Sequence, residues 1–265
     1  MTEILTSMMK PPKKMTPEEI EAVRKRIAEE DKRSYQELKL NDKKKVNERS
    51  LFSGDQRISF EFSQWKPDKQ PDSKLARELG VKAWELANQL KTDNFNVMMT
   101  GGAGTGKTSL SIAMATELFN SVGKSWLFIN TMELQSLFER RFDEPDVNDR
   151  LSRLQQAIMG IKDGLGDWRI PPVDVLILDD FGTEGGMRTD KSRVVRKDMQ
   201  EWLYRASNAR VDLNANKLLG STIITTNNTG EELYAMYNEK LLSRLVPKSE
   251  DCVLNFAGLT DVRFK

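Results

Sequence analysis

Gly101-Gly102-Ala103-Gly104-Thr105-Gly106-Lys107-Thr108 constrains this chain more than any other stretch. It fits G-x-x-x-x-G-K-[ST], a loop whose glycines let backbone N–H groups close on phosphate oxygens. The flanks agree with the motif. Phe95-Asn96-Val97-Met98-Met99-Thr100 is a short apolar run that reads as a buried strand, and Ser109 to Phe119 reads as a helix. A helix starting directly after such a loop adds partial positive charge at the same point. The stretch Gly102, Ala103, Gly104, Thr105, Gly106, Lys107, Thr108 and Ser109 is therefore the expected cradle for ATP. Lys107 is expected to reach the β- and γ-phosphates, and Thr108 to hold Mg²⁺.

Composition narrows the chemistry further. The 265 residues suffice for one ordinary domain plus a smaller appendage. Lys+Arg 41 against Asp+Glu 40 leaves a net charge of +1, which argues against a basic nucleic-acid surface over the whole protein and leaves a local groove open. No apolar run is long enough to span a membrane, and the start lacks a secretory pattern, so the cytoplasm is the expected location. There is no histidine and one cysteine, Cys252. An imidazole base, a His-ligated metal, an intrachain disulfide and a multi-cysteine zinc site are all excluded. Cys252 lies in an apolar run and reads as core. Catalysis falls to carboxylates, Lys, Arg, Asn, Thr and Mg²⁺.

Strand and helix patterns alternate after residue 50. Residues 1–50 read as a helical arm: Thr16 caps, Pro17 opens and Glu19 completes a capping box for a helix to about Arg33, before a charged linker at Asn41–Lys45. Ile58, Phe60 and Phe62 alternate as a short strand or as extended chain packed on the main domain. A helix is expected from about Ser73 to Leu90, a second strand at Ser125–Asn130, a helix capped by Thr131 through Phe142, and another near 149–161. Val173–Asp180 is a third strand, followed by a Gly185-Gly186 turn and a helix over 191–209. Leu218–Thr226 is a fourth strand, two short helices occupy 230–245, and Cys252–Phe256 is a fifth strand. This alternation predicts a parallel α/β sheet over 51–265.

Val175-Leu176-Ile177-Leu178-Asp179-Asp180 ends in two carboxylates, and in a parallel sheet ligands sit at the strand C-termini. Asp179 is expected beside Thr108, orienting Mg²⁺, and Asp180 on the γ-phosphate side, polarising the attacking water. Asn227 ends the fourth strand and is expected to hydrogen-bond that water or the γ-phosphate, while Asn228 or Thr229 caps the next helix. Arg244 reads either as solvated surface or as a group reaching a neighbouring subunit's phosphate.

These segments together resemble the AAA+ ATPases. More narrowly, they look like the DnaC/DnaI-type replicative helicase loaders, with the IstB transposition ATPases as close relatives. The resemblance covers about residues 52–265 and rests on 101–108, Leu176–Glu184, Ile223–Asn227 and Leu242–Leu245. It implies an AAA+ P-loop fold with a five-stranded parallel sheet flanked by helices. It implies Walker A roles for Lys107 and Thr108, a Walker B pair in Asp179 and Asp180, sensor 1 at Asn227, an arginine finger at Arg244 and a closing arginine at Arg263. It also implies self-association through the Arg244 face, a DnaB-type helicase bound by the arm, and single-stranded DNA near Arg140 and Arg141. An IstB-like helper that binds duplex DNA and a transposase is the alternative.

Overall fold

The computed structural model describes residues 16–184 and 195–263. In chain order the elements are α1 (Pro17–Glu48), α2 (Ser73–Gln89), β1 (Val97–Thr100), α3 (Lys107–Val122), β2 (Trp126–Asn130), α4 (Thr131–Arg140) and α5 (Pro145–Met159). After these come β3 (Ile161–Lys162), β4 (Trp168–Ile170), β5 (Val175–Asp179), α6 (Lys197–Ala209), β6 (Val211–Asp212) and β7 (Lys217–Leu218). The last are β8 (Ser221–Thr226), α7 (Gly230–Met236), α8 (Glu239–Leu245) and β9 (Val253–Asn255).

The chain forms two compact units that divide between Asp42 and Lys43. In the first, the expected capping box forms: Glu19 N–H donates to Thr16 Oγ1 at 3.2 Å and Thr16 N–H to Glu19 Oε2 at 2.7 Å. The helix does not stop near Arg33. No glycine or proline follows Pro17 before residue 49, and Lys, Glu, Arg and Gln are good helix formers, so α1 continues through the expected linker to Glu48. Ile20, Ile27 and Leu38 remain exposed along it.

The second unit holds a five-stranded parallel sheet in the order β2-β5-β8-β1-β9. The expected architecture is thus the observed one. Side chains alternate between two cores, as period-2 strands buried on both faces require. Leu127, Ile129, Leu176, Leu178 and Ile224 enter one, while Phe128, Val175, Ile177, Ile223 and Leu254 enter the other. The order matters for function because β8 lies between the phosphate-loop strand β1 and β5. The C-terminal residues of β8 are thereby placed between the loop and the Asp179-Asp180 pair.

Several local expectations need correction. Of the two readings of Ile58, Phe60 and Phe62 the strand is not formed and the packed chain is: Phe60, Phe62 and Trp65 pack against the second core, with Phe62–Gln64 a 3₁₀ turn. The sheet edge is instead extended by Leu51, whose N–H donates to Phe128 O at 2.7 Å and whose carbonyl accepts from Asn130 N–H at 2.9 Å. Asn130, not Thr131, caps α4, accepting from Met132 and Glu133 N–H, because its extended backbone ends β2. α5 begins at Pro145, where a fixed φ suits a first helical turn. Two small hairpins, β3–β4 and β6–β7, were not anticipated, being only two or three residues per strand. β8 starts at Ser221 rather than Leu218, and Cys252 is only half-buried. Of the helix expected over 191–209, residues 191–194 lie outside the described residues, as does the Gly185-Gly186 turn.

Candidate nucleotide site

The phosphate loop leaves β1 and enters α3 through Gly106, whose φ of 101° is left-handed backbone that favours glycine. A Cβ there would also lie 2.5 Å from the Trp65 ring, so the glycine serves conformation and packing at once. Thr105 Oγ1 closes the loop on Gly102 O at 2.9 Å. Gly102 and Ala103 stand exposed at its crown, and Ser109 lies half-buried in the first helical turn. The first helical bond runs from Leu110 N–H to Gly106 O. The N–H groups of Lys107, Thr108 and Ser109 therefore have no partner within the helix, which is the anion-binding feature of a helix start.

Lys107 is buried and its ammonium donates to Gly101 O at 2.8 Å, Gly102 O at 2.6 Å and Asn227 Oδ1 at 2.8 Å. Burial lowers its pKa, opposed by the nearby charges of Asp180 and Asp179. Thr108 Oγ1 donates to Asp179 Oδ1 at 2.7 Å. Thr225 Oγ1, from β8, donates to the same oxygen at 2.7 Å, and Asn130 Nδ2 lies 3.4 Å from the other. Burial pushes the Asp179 carboxyl up to about 6, reinforced by the Asp180 charge and opposed by these donors. Lys107, Thr108, Asp179, Asp180 and Asn227 are thus brought together around one point.

Asp180 sits at φ 55°, an uncommon left-handed position for a residue with a side chain. Its N–H donates to Thr225 Oγ1 at 3.0 Å, and its carbonyl accepts from Thr131 Oγ1 at 2.9 Å. Thr131 Oγ1 is also 2.8 Å from Glu184 Oε2, which accepts from Gly182 N–H at 2.8 Å. Glu184 is buried, and that burial pushes its carboxyl up to about 7. Sequence reasoning gave no role to Asn130, Thr225 or Glu184. The register was the available signal, since Asn130 pairs with Asp179 at adjacent strand ends.

Arg263 lies near the loop, its guanidinium paired with Asp261 at 2.6 Å, while Val262 N–H donates to Gly104 O. Arg244 lies elsewhere. Its carbonyl accepts from Asn96 Nδ2 at 2.6 Å, before β1, at the sheet end opposite the loop. Its guanidinium is 5.2 Å from the Tyr204 ring and donates to Lys240 O. Arg140 pairs with Glu144 at 3.0 Å; Arg141 pairs with Asp198 at 3.0 Å and stacks over the exposed Phe142. Thr229 is the cap of α7, with Glu232 completing its box.

Among the described residues no group of three or more His, Cys, Asp and Glu is arranged to hold a metal. Thr108 and Asp179 supply two hard oxygens side by side, a set that fits Mg²⁺ when phosphates complete its shell. No helix of the described residues is long and apolar enough to cross a membrane.

Residues 55–247 match the family model described as IstB-like ATP binding protein. No curated protein matches the chain. Among solved structures, the DnaC helicase loader is 19% identical, with 73% of this chain and 97% of that chain covered and a TM-score of 0.49. AMPPCP-bound DnaA from Aquifex aeolicus is 15% identical, with 72% and 51% covered and a TM-score of 0.44. The chain spans about half the length of the first replication-initiator chains it matches.

Proposed function

The chain belongs to the IstB-like ATP-binding family, and from that premise we propose that it is a Mg²⁺-dependent ATPase that loads a replicative helicase onto single-stranded DNA. The observation that carries the reading is the convergence of Lys107, the Thr108–Asp179 pair and Asn227 on the start of α3. ATP phosphates would lie on the N–H groups of 107–109, with Lys107 turning from the loop carbonyls to the β- and γ-phosphates. Thr108 and Asp179 would hold Mg²⁺, which when bound neutralises charge on the phosphate oxygens. Asp180 would orient and polarise the attacking water, and Asn227 would fix its position. No imidazole is needed, because positioning and electrostatics carry this reaction.

Arg244 is too far around the sheet to serve its own loop, which supports its acting on the nucleotide of a neighbouring copy after leaving Tyr204 and Lys240. The exposed Ile20, Ile27 and Leu38 support the arm as the helicase-binding element, within the proposed division of an arm over 1–50 and an ATPase domain over 51–265. Phe142 beside Arg140 and Arg141 supports single-stranded DNA contact there, since aromatic faces and cations together suit unpaired bases. The family match equally favours a second reading, a transposition helper that binds duplex DNA and a transposase.

A pull-down and ATPase assay separates them, using full-length protein and a version lacking residues 1–50 with a DnaB-type hexamer. Arm-dependent helicase binding and stimulation by single-stranded DNA are expected. Stimulation by duplex DNA without helicase binding selects the transposition helper.

A further inference from the structure

Residues 259–263 pass the phosphate loop at Gly104 and are pinned at two places. Val262 N–H donates to Gly104 O at 3.2 Å. Thr260 and Gln70 exchange bonds, Thr260 N–H to Gln70 Oε1 at 2.9 Å and Gln70 Nε2 to Thr260 O at 3.0 Å. Between these pins the Asp261 carboxylate is set directly against Gly104. A Cβ at Gly104 would collide with it, and the φ of 71° there already favours glycine. Asp261 faces the loop and also holds Arg263. Arg263 Nη2 donates to Oδ2 at 2.6 Å, Nε to Oδ1 at 3.1 Å and the backbone N–H to Oδ1 at 2.9 Å. This is the two-pronged way in which a guanidinium grips either a carboxylate or a phosphate. The Arg263 charge is felt at Lys107, and that of Asp180 at Arg263, so the fork stands within electrostatic reach of the site.

We infer that Asp261 is a built-in stand-in for a nucleotide phosphate, holding the Arg263 fork beside the loop until the triphosphate takes it over. The inference rests on the nucleotide-binding reading and adds a competitor within the chain that sets nucleotide affinity. Two anions compete for one fork, and Asp261 acts on the nucleotide through its hold on Arg263. The pair is about half exposed, 59% and 47%, so its hold is modest and an incoming triphosphate displaces it. The pair therefore tunes affinity and does not block the site.

Calorimetric titration of full-length protein with ATP and Mg²⁺ tests this on the wild type, Asp261→Asn, Arg263→Ala, the double variant and Lys107→Ala. Asp261→Asn is expected to bind ATP about fivefold more tightly, in line with the strength of a partly exposed pair. The gain is expected to vanish in the Arg263→Ala background. Asp261→Ser is a second variant, because its hydroxyl still accepts from the Arg263 N–H and keeps the turn. Unchanged or weaker binding in both Asp261 variants overturns the inference, as does a gain that persists without Arg263. Failure of the wild type to bind, or equal binding by Lys107→Ala, overturns the nucleotide reading itself, and this one with it.

Discussion

β2, β5 and β8 carry buried polar clusters at both ends, and the two ends treat charge in opposite ways. At the N-terminal end Arg210 donates to Val173 O at 2.8 Å, Asp174 O at 3.1 Å and Ser221 O at 2.7 Å. The Asp174 carboxylate accepts from Ser125 N–H and Oγ and lies 3.5 Å from Lys43. The same groups tie the strands together there, since Asp174 O also accepts from Ser221 N–H at 2.9 Å and Lys43 also donates to Gly123 O at 2.6 Å. At the C-terminal end two consecutive carboxylates meet hydroxyls and an amide, while Lys107 commits its three donors to Gly101, Gly102 and Asn227. Burial, with the Asp180 charge beside it, outweighs those donors and pushes the Asp179 carboxyl up to about 6. Burial is not free at the first end either, since it pushes Arg210 down to about 10. What differs is the sign of the buried charge: at the first end a guanidinium meets carbonyl oxygens with only its Nε left without a partner, and at the other carboxylates are left in want of a cation. Uncompensated charge of that kind belongs to sites that bind something.

The sharpest way to break the comparison is Asp180→Asn. If Asp180 polarises water, ATP turnover falls about 10³-fold, the middle of the range for a lost general base. ATP affinity stays within a few-fold. Asn tolerates the left-handed φ of 55°, so the melting temperature does not drop. Steady-state hydrolysis, calorimetry and thermal melting together decide it. A variant that loses its fold would make the C-terminal cluster structural as well.

Arg210→Ala probes the opposite end and should reverse that pattern. It removes the guanidinium bonds to the Val173, Asp174 and Ser221 carbonyls, of which Asp174 O keeps its bond from Ser221 N–H, and should lower unfolding free energy by about 3 kcal/mol, as for other broken buried charge networks. ATP binding per folded molecule is expected to be unchanged. Arg210→Lys should recover only part of the loss, because one ammonium cannot span carbonyls on two strands. Urea unfolding with ATP titration measures both. Equal stability of wild type and Arg210→Ala would erase the distinction between the two ends.

The two ends also differed in how far the sequence revealed them. Lys107, Thr108, Asp179, Asp180 and Asn227 were legible because a motif or a strand end marks each one. Arg210 was not, because a lone Arg after a helix looks like surface until its guanidinium is seen on the Val173, Asp174 and Ser221 carbonyls. Thr225, Asn130 and Glu184 were hidden for a related reason. Their roles depend on strand order, and only the insertion of β8 between β1 and β5 turns Thr225 towards Asp179. The overall α/β pattern was readable from strand–helix alternation. The stop of α1 was misplaced because charge density, unlike Gly or Pro, does not end a helix.

Glu184 gives the smallest and most discriminating test, since it is, with Asp179, a second carboxylate fully buried at the C-terminal end. Its Oε1 is buried without a hydrogen-bond partner in the structure. Thr131 has one hydroxyl proton and two neighbours, Asp180 O and Glu184 Oε2. A protonated Glu184 resolves the conflict by donating to Thr131, which then donates to Asp180. A carboxyl raised from 4.5 to about 7 binds its proton more tightly folded than unfolded. Between those values the unfolded chain binds fewer protons, so stability falls as pH rises through the window and is unaffected by this group below it. The fall is on the order of 3 kcal/mol. Glu184→Gln stays neutral and keeps an acceptor for Gly182 N–H. It should match the wild type near pH 4.5 and be the more stable protein at pH 8. Asp179, raised from 3.8 to about 6, adds a parallel slope at lower pH that this variant retains. The difference between the two unfolding curves should therefore grow mainly above pH 5. A constant difference at every pH would mean that Glu184 is already ionised in the folded state, and that the carboxylates of the C-terminal end are better compensated than the comparison holds.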